Sequence, residues 1–202
     1  TSSEPVSELA AGEQLFEEME LGGTVNFIAF RQAVAGYNRI KEKSKPILTL
    51  IDFSKPSTEK RFFVFDMEKK KLLYSSVVAH GRNSGENYAT SFSNQYGSYK
   101  SSLGFYLTEN TYQGGNGYSL ILNGLEKGIN DKAKARSIVV HGAPYANPSV
   151  AASGRLGRSL GCPALPTKLA RPIINTIKDG SVMFIYANNP HYLAQSNILH
   201  KN

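Results

Sequence analysis

The sequence predicts a mostly β domain, α+β in class, with a barrel-like or sandwiched sheet, N-terminal helices and one helix in its C-terminal half. Three observations carry this expectation. Before Pro46 the apolar residues recur at three- and four-residue spacing. After it the chain turns to short runs rich in β-branched and aromatic residues, and clusters of Gly, Ser and Asn punctuate those runs. The 202 residues are ample for one sizeable core. We divide them into an N-terminal helical segment (1–45), a main domain on which it packs (46–190) and a polar C-terminal tail (191–202).

A first short helix begins at Ser7, with Leu9, Leu15, Phe16 and Met19 as its apolar set, and Gly22-Gly23 breaks it. A second runs from about Asn26 to Lys43, where Phe27, Phe30, Val34, Tyr37 and Ile40 form one packing stripe. Strands are expected over 47–53, 61–66 and 71–80, with Met67-Glu68-Lys69 as a hairpin connection, and again near 104–108, 118–122, 136–141 and 181–186. Between them, residues 81–100 are rich in Gly, Ser, Asn and Tyr. Linkers seldom carry as many aromatics as Tyr88, Phe92, Tyr96 and Tyr99, so an ordered loop bordering a cleft is expected. Thr167 to Lys178 reads as a helix, with Ile173, Ile174 and Ile177 inward and Pro166 near its start.

Hydrophobic residues make up 41% of the chain and charged residues 19%, an ordinary globular balance. No apolar run approaches the roughly 20 residues that span a bilayer. The polar start, Thr1-Ser2-Ser3-Glu4-Pro5, shows no signal peptide and reads as that of a mature or truncated chain, which leaves room for a removed export signal. The net charge of +7 fits an acidic partner, but the basic residues are dispersed and no nucleic-acid-binding motif is present. A soluble, basic surface is the simplest account.

The single cysteine, Cys162, stands in Arg158-Ser159-Leu160-Gly161-Cys162-Pro163. It has no internal disulfide partner, so it is either a small buried apolar residue or a reactive thiol. Its surroundings favour the thiol: Gly161 admits a close approach, and Ser159 adds a hydroxyl. His141, 21 positions upstream, ends the apolar run 137–140, and Gly142 lets the chain turn after it. An imidazole is suited both to take the thiol proton and to return it near neutral pH. The Gly161-Cys162 stretch can turn successive backbone N–H groups toward a developing oxyanion. Arg155 and Arg158 are candidates for lowering the thiol pKa or holding a substrate carboxylate. His80 ends a strand as His141 does; it lines a cleft or serves the loop structurally. Asn94 and Tyr118 are further cleft candidates. His191 and His200 fall in the polar tail and are expected to face solvent.

His141-Gly142, then 16 residues, then Ser159-Leu160-Gly161-Cys162 resembles the signature of the L,D-transpeptidases, the YkuD-like enzymes that cross-link peptidoglycan. The resemblance extends over roughly 30–186, to a murein L,D-transpeptidase catalytic-domain branch with the form Gly-Cys-Pro-Ala. Its supporting segments are 51–54, 78–82, 91–94, 102–106 and 154–159. In better-studied members an apolar residue and then an arginine follow the cysteine; here Pro163 and Ala164 do, and Arg158 or Arg155 is expected to stand in for the missing arginine. The resemblance implies a β-rich catalytic domain and a cysteine that attacks the carbonyl between meso-diaminopimelate, or a similar residue, and the terminal D-alanine of a tetrapeptide stem. D-Alanine leaves, a thioacyl-enzyme forms, and the side-chain amine of a second stem resolves it to a 3→3 cross-link. Cys162 carries over as nucleophile and His141 as general base and acid; Ser159 and Gly161 carry over as the loop that orients the thiol and forms the oxyanion site, and Gly142 as the glycine of the His-Gly motif. No metal or organic cofactor is implied. The implied partner is the peptidoglycan stem peptide, in an exported, periplasmic or envelope-associated setting, with a membrane met only through an anchor since removed.

Other readings remain open at the level of sequence. Water as acceptor would make the protein an L,D-carboxypeptidase, a hydrolase. A cell-wall-binding module with idle machinery is a second alternative. A zinc site of Cys162, His141 and His80 is a third, although their spacing matches no compact ligand motif. Oligomeric state leaves no trace in the sequence.

Overall fold

The structure, a computed structural model, describes residues 3–200, with side chains from residue 10 onward. Two helices come first, α1 (Ser3–Glu18) and α2 (Phe27–Arg39). Leu15 and Phe16 of α1 pack against the core, and the Phe16 ring lies 5.2 Å from Phe27 and 5.7 Å from Phe30. The side chain of Leu9 lies outside the described residues. Asn26 starts α2 by accepting the Ile28 and Ala29 N–H groups on its side-chain oxygen. The helix stops four residues short of the expected Lys43, because Lys43 itself folds back and donates from Nζ to the carbonyls of Tyr37 and Ile40, meeting orphan acceptors of the last turn.

Eight strands follow: β1 (Ile47–Asp52), β2 (Phe62–Asp66), β3 (Lys71–Ser76), β4 (Gly104–Gly114), β5 (Gly117–Gly124), β6 (Val139–Gly142), β7 (Ala164–Leu165) and β8 (Val182–Tyr186). They form one sheet in the order β3-β2-β1-β8-β4-β5-β6-β7, parallel at β1/β8 and β6/β7 and antiparallel elsewhere. Beyond β3 the chain crosses to the far edge. Ala79 bridges Ala164, and Gly81 bridges Ser159. These two bridges bring the first edge of the sheet round to the last and nearly close a barrel.

The helix α3 (Thr167–Ile177) turns Ala170, Ile173, Ile174 and Ile177 inward against the sheet, as the sequence predicts. The β4–β5 hairpin runs longer than its apolar runs suggest, with a bulge between Thr108 and Thr111. The expected polar tail instead contains a short helix, α4 (Pro190–Gln195), and buries Tyr192. Tyr192 Oη and Ser196 Oγ both donate to the buried Glu126 carboxylate, which also accepts the Phe105 N–H. His200 bonds the Leu193 carbonyl through Nε2.

Candidate active site

His141 and Cys162 come from paired segments. On β6, His141 stands opposite Ser119 of β5 on one side and Ala164 of β7 on the other. Cys162 precedes Ala164 by two residues, and its Sγ accepts the Val139 N–H at 3.4 Å. Register therefore places the thiol beside β6, within two residues of the histidine. The His141 side chain is buried and its Nδ1–H donates to the Gly142 carbonyl at 3.0 Å. That bond fixes the tautomer and leaves Nε2 as the acceptor nitrogen.

Cys162 is 9% exposed. Burial pushes its thiol pKa up, while the Val139 N–H and the Arg136 guanidinium pull it down. The S–H donates to the Ser137 carbonyl at 3.5 Å. Ser137 itself sits in the left-handed region, φ 59.

Ser159 organises the cysteine loop. Its N–H donates to His80 O and its carbonyl accepts from Arg82 N–H, at 2.9 and 2.8 Å. Its Oγ donates to Cys162 O at 2.5 Å and accepts the Gly161 N–H at 3.1 Å. The oxyanion expectation changes accordingly: the Gly161 N–H is engaged, and the Cys162 N–H, without an acceptor among the described residues, is the donor left for a developing negative charge. Gly161 has φ +126, and a Cβ there would lie 2.9 Å from Ile138 Cδ1 and 3.0 Å from Lys100 O. Gly142 is pressed under α3, where a Cβ would come within 2.8 Å of Ala170.

The remaining candidates take other places. Arg155 and Arg158 both grip Glu86, at 3.0 and 3.1 Å, and Arg158 also donates to the Arg82 carbonyl at 3.0 Å. His80 is 1% exposed. Its Nδ1 accepts from Arg61 Nη2 at 2.8 Å and its Nε2–H donates to Gly85 O at 3.1 Å, so it braces the loop that Gly81 opens. Asn94 ties its loop to the next turn, donating to Asp131 Oδ1 at 2.8 Å and accepting from Lys132 N–H at 3.1 Å. Tyr118 lies on the face of β5 opposite to Ser119 and reaches α3, with its hydroxyl 2.5 Å from Asn175 Oδ1 and Arg171 over its ring. Among the described residues no group of three His, Cys, Asp or Glu side chains could hold a metal ion.

Sequence reasoning missed Arg136, Ser137 and Tyr145. Arg136 and Tyr145 both lie close enough to interact electrostatically with Cys162. Ser137 and Arg136 adjoin the His141 strand, which was the one available signal.

A buried thiol and a histidine of fixed tautomer thus stand on neighbouring segments between Gly/Ser-rich loops, at the seam of a nearly closed sheet. The comparisons place this domain in a family. A family model described as the L,D-transpeptidase catalytic domain (YkuD_2) matches residues 22–186, and the chain belongs to this family. No curated protein matches it. Among solved structures, an L,D-transpeptidase from Mycobacterium smegmatis is 15% identical, with a TM-score of 0.44 over 70% of this chain and 59% of its own. L,D-transpeptidase 3 from Mycobacterium tuberculosis is 14% identical, with a TM-score of 0.45 over 70% and 61%. The helical cell shape determining protein Pgp2 from Campylobacter jejuni is 14% identical, with a TM-score of 0.47 over 76% and 54%. The chain thus spans less than two thirds of the length of each.

Proposed function

We propose that the protein is a cysteine-dependent acyltransferase acting on peptidoglycan stem peptides, an L,D-transpeptidase that forms 3→3 cross-links through a thioacyl-enzyme. The observations that carry the reading are the register that sets Cys162, two residues before Ala164, beside the strand of His141, and the buried His141 ring whose Nδ1–H is held by Gly142 O, within the family's catalytic domain. In this reading His141 Nε2 takes the thiol proton and Sγ attacks the carbonyl that precedes the terminal D-alanine. The Cys162 N–H meets the oxyanion. The C–N bond breaks, His141 returns the proton to the departing D-alanine amine, and a thioester remains. A second stem's amine then attacks, His141 accepts its proton, and the Cys162 thiol is released. The substrate lies outside the cytoplasmic membrane, so the reading includes export. Among the described residues no helix is long and apolar enough to cross a membrane.

The test is incubation of the purified protein with a disaccharide-tetrapeptide muropeptide, followed by mass spectrometry, beside a Cys162→Ala control. A dimer with a 3→3 link that depends on Cys162 is expected. Tripeptide alone would replace the transferase reading with a carboxypeptidase. No Cys162-dependent product would overturn the catalytic reading in favour of a binding module.

A further inference from the structure

We propose that Arg136 is a positioning residue for Cys162: its guanidinium supplies the positive field that favours the thiolate and locks residues 93–102 against the cysteine loop. The inference rests on Cys162 being the nucleophile. Four hydrogen bonds hold the guanidinium. Nη1 donates to Ser93 O at 2.9 Å and Ser102 Oγ at 2.8 Å, and Nη2 donates to Ser98 Oγ at 3.1 Å and Lys100 O at 2.8 Å. All four acceptors are neutral, and no carboxylate pairs with Arg136 among the described residues. A half-buried cation kept without a counter-ion is costly unless an anion forms beside it.

Gly161 shows where that anion would form. A Cβ on Gly161 would lie 3.5 Å from Arg136 Nη2 and 3.0 Å from Lys100 O, so the arginine and the loop it holds are packed against the residue before the cysteine. The titratable groups that interact with the thiol are Arg136 before β6, Tyr106 on β4 and Tyr145 in the turn after β6, and His141 stands on β6 two residues beyond Val139, whose N–H the thiol accepts. Burial raises both tyrosine hydroxyls, Tyr145 to about 12 and Tyr106 further, and Tyr106 donates to Ser102 O at 2.8 Å. Both stay neutral at working pH. Cys162 is therefore the group facing Arg136 that can become its counter-ion, and Arg136 is among the groups that lower the thiol pKa against burial.

The experiment follows alkylation of Cys162 by iodoacetamide from pH 5 to 10 by intact mass, on the full chain, for the wild type, Arg136→Gln and Arg136→Lys, with thermal unfolding alongside. Arg136→Gln should move the midpoint up by about one pH unit. At pH 7 the thiolate fraction would then fall about tenfold, offset about threefold by higher intrinsic nucleophilicity, so the rate should fall about threefold. Arg136→Lys keeps the charge and loses the fork, so its midpoint should lie nearer the wild type. A folded Arg136→Gln with an unchanged midpoint overturns the proposal. A second readout needs no variant. At about pH 9 the folded wild type should react with anionic iodoacetate, relative to neutral iodoacetamide, faster than the same chain unfolded in urea. An equal or lower ratio also overturns it. A wild-type thiol that no reagent reaches at any pH would instead refute the nucleophile reading and take this inference with it.

Discussion

Acidification should weaken the brace around His80, and the size of the effect can be worked out. The ring sits between Arg61 Nη2 on Nδ1 and Gly85 O on Nε2, so a second proton would face the guanidinium rather than an acceptor. Burial first, and the charge of Arg61 next, hold the imidazole pKa down from its ordinary 6.5 to about 4. The folded state therefore binds fewer protons than the unfolded one between these values. The stability is fully present above the unfolded pKa and is lost as pH falls toward 4. At about 1.4 kcal/mol per pH unit the loss is about 3 kcal/mol, or roughly 6–12 °C in Tm for a domain of this size. The assay is urea unfolding at pH steps from 7.5 to 4, for the wild type and His80→Asn, whose Oδ1 takes the place of Nδ1 before Arg61. The variant should be less stable at pH 7, by about 2 kcal/mol for its lost bond and volume, but its profile should be flatter across this window. Because His80 O holds the Ser159 N–H, the protection factor of the Ser159 amide, corrected for its intrinsic exchange rate, should fall with acid in the wild type. Parallel profiles for the two proteins would refute the argument.

Two further substitutions probe the site and its support. Gly161→Ala must place a Cβ at φ +126 against Ile138 and the Lys100 carbonyl; about 2–4 kcal/mol of destabilisation is expected, read as a Tm drop of roughly 5–15 °C, and a drop under about 2 °C would contradict it. Glu126→Gln can keep one oxygen for Phe105 N–H and Tyr192 Oη and turn its amide toward Ser196. Burial raises the Glu126 pKa, so its contribution is fully present below the unfolded carboxyl value and is lost as pH rises through the folded one. Gln should therefore cost less than about 1 kcal/mol at pH 7, while Glu126→Leu, which strands three donors, should cost about 3 kcal/mol; equal losses in chemical denaturation would count against this.

The sequence shows the parts of this fold that repeat. The α2 stripe and the inward isoleucines of α3 each bury a periodic face, and the strands β1 and β2 are largely apolar runs; both patterns are visible without partners. Cys162 and His141 are legible because a lone thiol in a Gly/Ser loop and a histidine at a strand end are chemically conspicuous. What stays hidden is contact across long sequence separation. The two residues of β7 show no period, and they pair only because the chain folds β6 and the 77–81 crossing beside them. The tail reads as polar because its hydrogen-bonding groups are matched by Glu126, some 70 residues away. Arg155 and Arg158 look available until Glu86, about 70 residues upstream, engages both.

Arg136 is the sharpest such case, and it explains a composition that sequence alone leaves unaccounted for. Residues 93–102 are serine-rich, with Ser93, Ser98, Ser101 and Ser102. Ser98 and Ser102 offer hydroxyl acceptors to Arg136, and Ser93 and Lys100 offer carbonyls. Neutral acceptors satisfy the guanidinium donors without cancelling their charge. An aspartate at either hydroxyl position would hold the arginine as firmly and remove the positive field beside Gly161. At rest the S–H donates to Ser137 O, so the site keeps a cation with no carboxylate partner and a Cys162 N–H with no acceptor among the described residues. Both are most stabilised when negative charge forms on Sγ or on a tetrahedral oxygen. In the proposed reaction the loop chemistry would thus place the electrostatic stabilisation at the charged stages rather than at the resting thiol.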